Sequence, residues 1–246
     1  MIGKLLAASV ALVLSATAVL AQTAPSPAAA RPPKTLHVLT EAQLDVARLV
    51  PPPPKDGSDQ QKAELAEIQR LYKTRTPDRL AQADWDDKHE SAELFYKTLG
   101  PQFDLKKLPA TAKLLAVVEN EQSVAANMAK RYFLRNRPWA IDPSMRACDY
   151  KPGAAPLTSY PSGHGTLSYS EGYILANLMP DKAQAILTRA QEYAYSREIC
   201  AAHYASDLEA SHTLATELAM MMMQNPEFAA QMEASRAELR SAGLTK

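Results

Sequence analysis

Proline punctuates this chain at intervals of helix length. The 246 residues include 18 Pro against 8 Gly. Proline lacks an N–H and clashes with the preceding turn, so it opens and ends helices rather than sitting inside them. Thr76-Pro77 reads as an N-cap with proline at the first helical position, opening a helix that runs to about Leu99 and stops at Gly100-Pro101. Another starts near Pro109, carries Leu114, Leu115, Val118, Val124 and Met128, and ends before Arg137-Pro138. The residue before proline is biased away from the helical region. Further helices follow Ser162-Gly163-His164, open near Pro180, span His203 to Met223, and run from Asn225-Pro226 to about Arg240. Ser58 or Asp59 caps an earlier helix with the stripe Leu65, Ile68, Leu71 and Tyr72. No period-2 alternation of any length appears. The expected fold is all-α, a single compact helical domain over residues 36–246.

What precedes that domain reads differently. Residues 1–21, MIGKLLAASVALVLSATAVLA, have one charge at Lys4, an apolar stretch from Leu5 to about Leu14, and Val19-Leu20-Ala21 before a cut. That is a signal peptide, with an uncleaved anchor as the alternative. Its apolar core is short for a span, so no stable membrane span is expected after cleavage. Residues 22–35 form an Ala/Pro-rich leader unable to bury a core, expected to be disordered. Pro51 to Pro54 make an extended strap. Lys+Arg and Asp+Glu number 27 each, and zero net charge argues against a nucleic-acid polymer as partner. Export makes a disulfide between Cys148 and Cys200 plausible, two buried thiols being the alternative. Their spacing makes no structural zinc site.

Five prolines lie within 138–162, a long loop of the kind that carries function. Three segments around it carry chemistry. In AKRYFLRNRPW, Lys130 and Arg137 are seven apart, two helical turns, and so project to one side. Two crowded cations call for an anion between them, and arginine's planar donors suit phosphate oxygens. In Tyr160-Pro161-Ser162-Gly163-His164, a helix start offers outward N–H groups, and Gly163 allows close backbone approach. In SREICAAHYASD, His203 and Asp207 are four apart, so on a helix they share a face. Asp207 would fix the tautomer of His203 and leave its other nitrogen basic. Arg197 reaches the same pocket if the helix breaks before His203. Taken singly, each pattern has a bland reading: a surface pair, a solvated face, a turn, or two metal ligands.

Together these segments match K-x6-R-P, P-S-G-H and S-R-x5-H-x3-D at every fixed position. The chain therefore resembles the type 2 phosphatidic acid phosphatase and vanadium haloperoxidase superfamily. Among its members it resembles the bacterial class A non-specific acid phosphatases. LVPPPPKDGS, SYPSGH, SREIC and Asn225-Pro226-Glu227-Phe228 carry the closer likeness, which covers roughly residues 40–240. The resemblance implies a periplasmic acid phosphatase acting on small phosphorylated substrates without a metal or other cofactor. It implies His203 as nucleophile forming a phosphohistidine, Asp207 orienting it, and His164 as acid and then base. Lys130, Arg137, Arg197, Ser162 and the Gly163 amide would hold the phosphoryl oxygens. It also implies a Cys148–Cys200 disulfide and a homodimer.

Three departures stand out. Thr158 replaces a usual Gly, Gly165 a usual Thr, and Ala201 a frequent Gly. They touch the pocket's rim and backbone and leave the substrate open. A haloperoxidase of this superfamily would be longer, and a lipid phosphatase would need several spans. A pure phosphate-binding protein would need neither nucleophile nor acid. Tyr132, Phe133 and Trp139 read as core, with a groove for the leaving group as the alternative. Met220 to Met223 read as packing or dimer contact. His37, His89 and His212 show no partner.

Overall fold

The computed structural model describes residues 34–148 and 150–246. The signal peptide expected over 1–21 and nearly all of the leader expected over 22–35 lie outside them. Ten α-helices follow one another among the described residues: α1 (Val46–Leu49), α2 (Asp59–Thr74), α3 (Pro77–Lys88), α4 (Tyr96–Leu99), α5 (Pro109–Phe133), α6 (Pro138–Ile141), α7 (Gly163–Leu178), α8 (Ala183–Ile199), α9 (Ala205–Gln224) and α10 (Pro226–Ser241). Short 3-10 turns occupy Glu41–Gln43, Ala92–Phe95 and Pro180–Lys182. No strand occurs among the described residues, so the all-α expectation holds. None of their helices is long and apolar enough to cross a membrane.

Local chemistry sets the helix starts. Ser58, Thr76, Ser162 and Asn225 each accept a backbone N–H of the helix they precede, through their side-chain oxygen. Pro77, Pro109, Pro138 and Pro226 stand at first helical positions, where a missing N–H costs nothing.

The centre of the bundle is α7, packed against α5, α8 and α9. Its buried residues occur on every side, from Thr166 and Leu167 round to Ile174 and Leu178. Small residues permit this. A Cβ on Gly165 would lie 3.0 Å from the Ser211 side chain, and one on Gly172 would lie 3.1 Å from Ala190 Cβ. The Gly165 departure is thus a packing matter between α7 and α9. Phe95, Phe103, Phe228, Leu114 and Leu214 are buried within the surrounding core. The N-terminal segment is laid across α5, where the buried Glu121 carboxylate accepts the N–H groups of His37 at 2.7 Å and Leu39 at 3.0 Å. The proline strap is extended, and Pro51 O accepts the Tyr160 hydroxyl at 2.5 Å.

Several expectations need correction. The single helix expected over 76–99 is broken: α3 ends at Lys88 and helical structure resumes in the turn at Ala92. The helix expected over 203–223 begins at Ala205, so His203 lies outside it, before the Tyr204 N-cap. The 138–162 loop contains the short α6. Pro180 opens a 3-10 turn before α8. Tyr132 is 60% exposed, whereas Phe133 packs on the core and Trp139 on a smaller cluster around Cys200. Met222 is fully buried and Met220 half exposed. His89 stacks on Trp85, and His212 meets Tyr169 and Tyr173.

Cys148 and Cys200 are joined by a disulfide across 52 positions of sequence. A closed loop of that size stabilises by roughly 4 kcal/mol at most in the chain-entropy picture. We predict that the Cys148→Ser, Cys200→Ser double variant loses about 2–4 kcal/mol. A melting temperature unmoved from wild type, measured by calorimetry, would contradict this.

Helix α5 ends at Leu134, an exposed residue with φ 51° in the left-handed region. A Cβ there costs roughly 1–2 kcal/mol, partly offset in glycine by its greater freedom when unfolded. Leu134→Gly is therefore expected to stabilise by about 0.5–1 kcal/mol, a rise of roughly 2 °C in Tm.

Candidate active site

Every residue singled out in the three segments comes to the same end of the bundle, by routes that differ from the simple helical ones. Lys130 lies in the last turn of α5. Arg137 lies beyond that helix's end, as the N-cap of α6, so the two do not share a helical face. The left-handed turn at Leu134 returns the chain. Arg137 then donates to Thr158 Oγ1 and Ala202 O, both at 3.3 Å. The Thr158 departure is therefore a contact with a signature arginine. Arg197 lies in the last turn of α8 and is fully buried. The chain breaks out of helix after Ile199, which brings His203 back onto it: Arg197 O accepts the N–H groups of Ala202 at 3.0 Å and His203 at 3.3 Å. Ala201 makes that reversal with φ 53°, a conformation its usual glycine would adopt more easily.

His203 is the most constrained group. Its ring is buried, and its Nδ1 lies 3.3 Å from Asp207 Oδ2. Asp207 occupies the first turn of α9. Its carboxylate also accepts from Arg135 at 2.6 Å, from the Ser159 hydroxyl at 2.6 Å and from the Tyr204 N–H at 2.9 Å. Burial raises the Asp207 carboxyl above its ordinary range, and Arg135, Ser159 and the Tyr204 amide pull against it. With a guanidinium at 2.6 Å, Asp207 carries the negative charge of that pair. A carboxylate can only accept, so His203 Nδ1 holds the proton and Nε2 presents its lone pair. Nε2 is buried and has no hydrogen-bond partner among the described residues. A buried polar atom in that state calls for a ligand or a chemical role.

His164, in the first turn of α7, is oriented by a segment absent from all three motifs. Its Nε2 lies 3.2 Å from the backbone carbonyl of Asp87. A carbonyl cannot donate, so Nε2 carries a proton and Nδ1 is the atom left to exchange one. Glu90 Oε1 stands 3.6 Å from Nδ1. The Asp87 carboxylate pairs with Arg197 Nη1 at 2.5 Å. Ser162 Oγ accepts the Gly165 N–H at 3.2 Å, leaving its own hydrogen to donate. At Gly163 a Cβ would lie 3.4 Å from Lys130 Nζ, so the glycine keeps the space between helix start and ammonium open.

Arg135, Ser159, Asp87 and Glu90 were missed by the sequence reading. Arg135 lies between the two cations that the spacing singled out, and nothing in RNRP distinguishes a buried guanidinium from an exposed one. Asp87 and Glu90 were taken for the middle of a helix. Their run of charges, DDKHE, looks like a solvated face. Beside Arg137 lies a hollow of about 100 Å³ lined by Trp139, Tyr150 and Thr158.

The cations crowd one another. Burial, then the neighbouring Arg137, brings the Lys130 ammonium down to about 8. Burial pushes the His203 imidazole well below its ordinary range, and Arg137, Lys130, Arg197 and His164 add repulsion. His164 is likewise lowered by burial and then by Arg197, with the Asp87 carbonyl opposing. Five groups repelling one another's positive charge make a seat for an anion.

The PAP2 superfamily pattern matches residues 111–229, which hold all three motifs. An acid phosphatase of Zymomonas mobilis is 32% identical over 216 residues, 86% of this chain and 80% of that protein. A non-specific acid phosphatase of Providencia stuartii is 29% identical over 96% of this chain and 97% of its own. One from Salmonella typhi is 28% identical over 77% and 78%. The chain belongs to the PAP2 superfamily. Within it, it is an acid phosphatase.

Both histidines have folded-state pKa values below the unfolded value near 6.5. As pH falls through 6.5 the unfolded chain takes up protons that the native site refuses, so their contribution lowers stability on the acid side. One fully suppressed histidine costs about 2 kcal/mol at pH 5. Raised carboxyls such as Glu198, at about 7, act in the opposite sense, so the histidine share is read as a difference: we predict that the change in Tm from pH 7 to pH 5 is more favourable in His203→Asn than in wild type by roughly 4–8 °C. An unchanged slope in the variant would refute it.

Proposed function

We propose that this acid phosphatase hydrolyses phosphomonoesters through a phosphohistidine intermediate and needs no metal ion. The observation that carries the reading is His203 Nε2, a buried basic nitrogen with no partner among the described residues, its ring held by Asp207. It lies among three cations that repel its own protonation. Such a nitrogen stays neutral and nucleophilic at acid pH, where an ordinary histidine is protonated.

The steps follow from the chemistry. The phosphoryl oxygens sit among Lys130, Arg137 and Arg197, with the Ser162 hydroxyl and the Gly163 amide as further donors. His203 Nε2 attacks phosphorus in line, and the P–N bond forms as the ester P–O bond breaks. Asp207 stabilises the ring's growing positive charge. His164 Nδ1 gives its proton to the leaving alkoxide. A bound phosphoryl group reverses the electrostatics at His164, because its negative charge offsets the cations that lower the imidazole when the seat is empty. His164 then takes a proton from water, whose oxygen attacks phosphorus. The P–N bond breaks, and His203 Nε2 is returned. Fixed cations supply the charge stabilisation that phosphoryl transfer demands. The same reading includes export to the periplasm with cleavage near Ala21, and a homodimer.

The test is hydrolysis of phenyl phosphate from pH 4 to 8 with excess chelator. Wild type is expected to turn over at the chelator-free rate. His203→Ala should lose at least about 10³-fold in kcat, and wild type quenched in alkali should carry a base-stable, acid-labile phosphoryl group that the variant lacks. Loss of turnover on chelation would overturn the metal-free mechanism. Phosphate binding by a folded wild type that never turns over would overturn catalysis.

A further inference from the structure

Two carboxylates outside the three motifs, Asp87 and Glu90, stand beside His164. Lys130, Arg137 and Arg197 surround His203, whereas Asp87 and Glu90 come from the break between α3 and the turn at Ala92 and face His164. In the mechanism above, the phosphoryl group sits with the cations and the departing alcohol must reach His164 Nδ1. The acidic segment therefore stands on the leaving-group side. Asp87 is committed, its carboxylate to Arg197 and its carbonyl to His164 Nε2. Glu90 is more open than its neighbour, its side chain 53% exposed against 10% for Asp87; partial burial raises its carboxyl, and Lys130 and Arg197 pull it back down. Its Oε1 lies 3.6 Å from the nitrogen that would protonate the ester oxygen. It also stands 3.8 Å from a Cβ built on Gly163, beside Lys130 Nζ at 3.4 Å. Glu90 and Lys130 thus flank the same glycine, with opposite charges.

We propose that Glu90 selects the leaving group by charge, favouring phosphomonoesters of neutral or cationic alcohols, such as amino alcohols, over substrates whose leaving group is a second anion, such as diphosphates. This rests on the reading under Proposed function, because it needs the alcohol to depart toward His164. Any atom two or three bonds beyond the ester oxygen then passes within a few ångström of the carboxylate. A unit charge at that range, half screened by solvent, is worth about a factor of ten in rate.

The experiment measures kcat/KM on phosphoethanolamine, phenyl phosphate and inorganic diphosphate at pH 6 for wild type, Glu90→Gln and Glu90→Lys. The readout is the phosphoethanolamine-to-diphosphate ratio, so any general loss from a displaced His164 cancels. Glu90→Gln should lower that ratio about ten-fold, and Glu90→Lys should lower it further. A salt series on wild type gives an independent reading: the ratio should narrow as ionic strength rises. A ratio the same in all three proteins, with phenyl phosphate turned over normally, would overturn the role of Glu90 and leave the phosphatase reading intact. Turnover of none of the three by wild type would overturn both.

Discussion

A carboxylate with no access to water organises this end of the molecule. Asp207 is fully buried, and a buried charge is tolerated only when it is paired and hydrogen-bonded. Its partners come from three stretches of chain: Arg135 beyond α5, Ser159 before α7, and His203 with the Tyr204 amide at the start of α9. Arg135 in turn reaches Glu64 on α2 at 2.7 Å and lies over the Tyr204 ring. One charge thus fixes the relative positions of α2, α5, α7 and α9. Removing it would leave the buried Ser159 hydroxyl without its acceptor and Arg135 with Glu64 as its remaining carboxylate, so the group that aims the imidazole also holds the walls of the site.

The second constraint is repulsion. Cations drawn to one end of the bundle by packing lower one another's affinity for protons, as Lys130 at about 8 records. Stability and function pull in opposite directions here. The cations strain one another, and an anion among them relieves the strain. The fold offsets the cost locally through Asp87 and Asp207, and across the chain through the disulfide that ties Cys200, the residue that caps the end of Arg197's helix, to the loop at Cys148. Ala201 and Leu134, both in the left-handed region without being glycine, stand at the two reversals that bring the cations in. Strain collected at such turns is a common feature of working sites.

Much of this was legible in advance because the deciding interactions are local. An N-cap oxygen meets an amide three residues on, and a proline affects its own turn, so Ser58, Thr76, Ser162 and Asn225 announce their helices without knowledge of the rest. The three motifs were legible for a different reason: their spacing resembles that of a known superfamily. The spacing arguments themselves were less secure. Lys130 and Arg137 were placed on one helical face and His203 and Asp207 on another. Both pairs do come to the same site, but each is split by a helix end.

The sequence by itself determined the helical class, most helix starts and the identity of most groups that carry charge at the site. Those follow from backbone chemistry and residue type, which act within a few positions of the chain. Only the tertiary structure decided that α3 stops at Lys88, that Asp87 and Glu90 therefore face His164, and that Arg135 rather than a signature residue holds Asp207. These depend on what lies opposite: a buried carboxylate seeks the nearest available guanidinium, and a charged run that would be solvated on an isolated helix becomes a wall when another helix presents an imidazole to it.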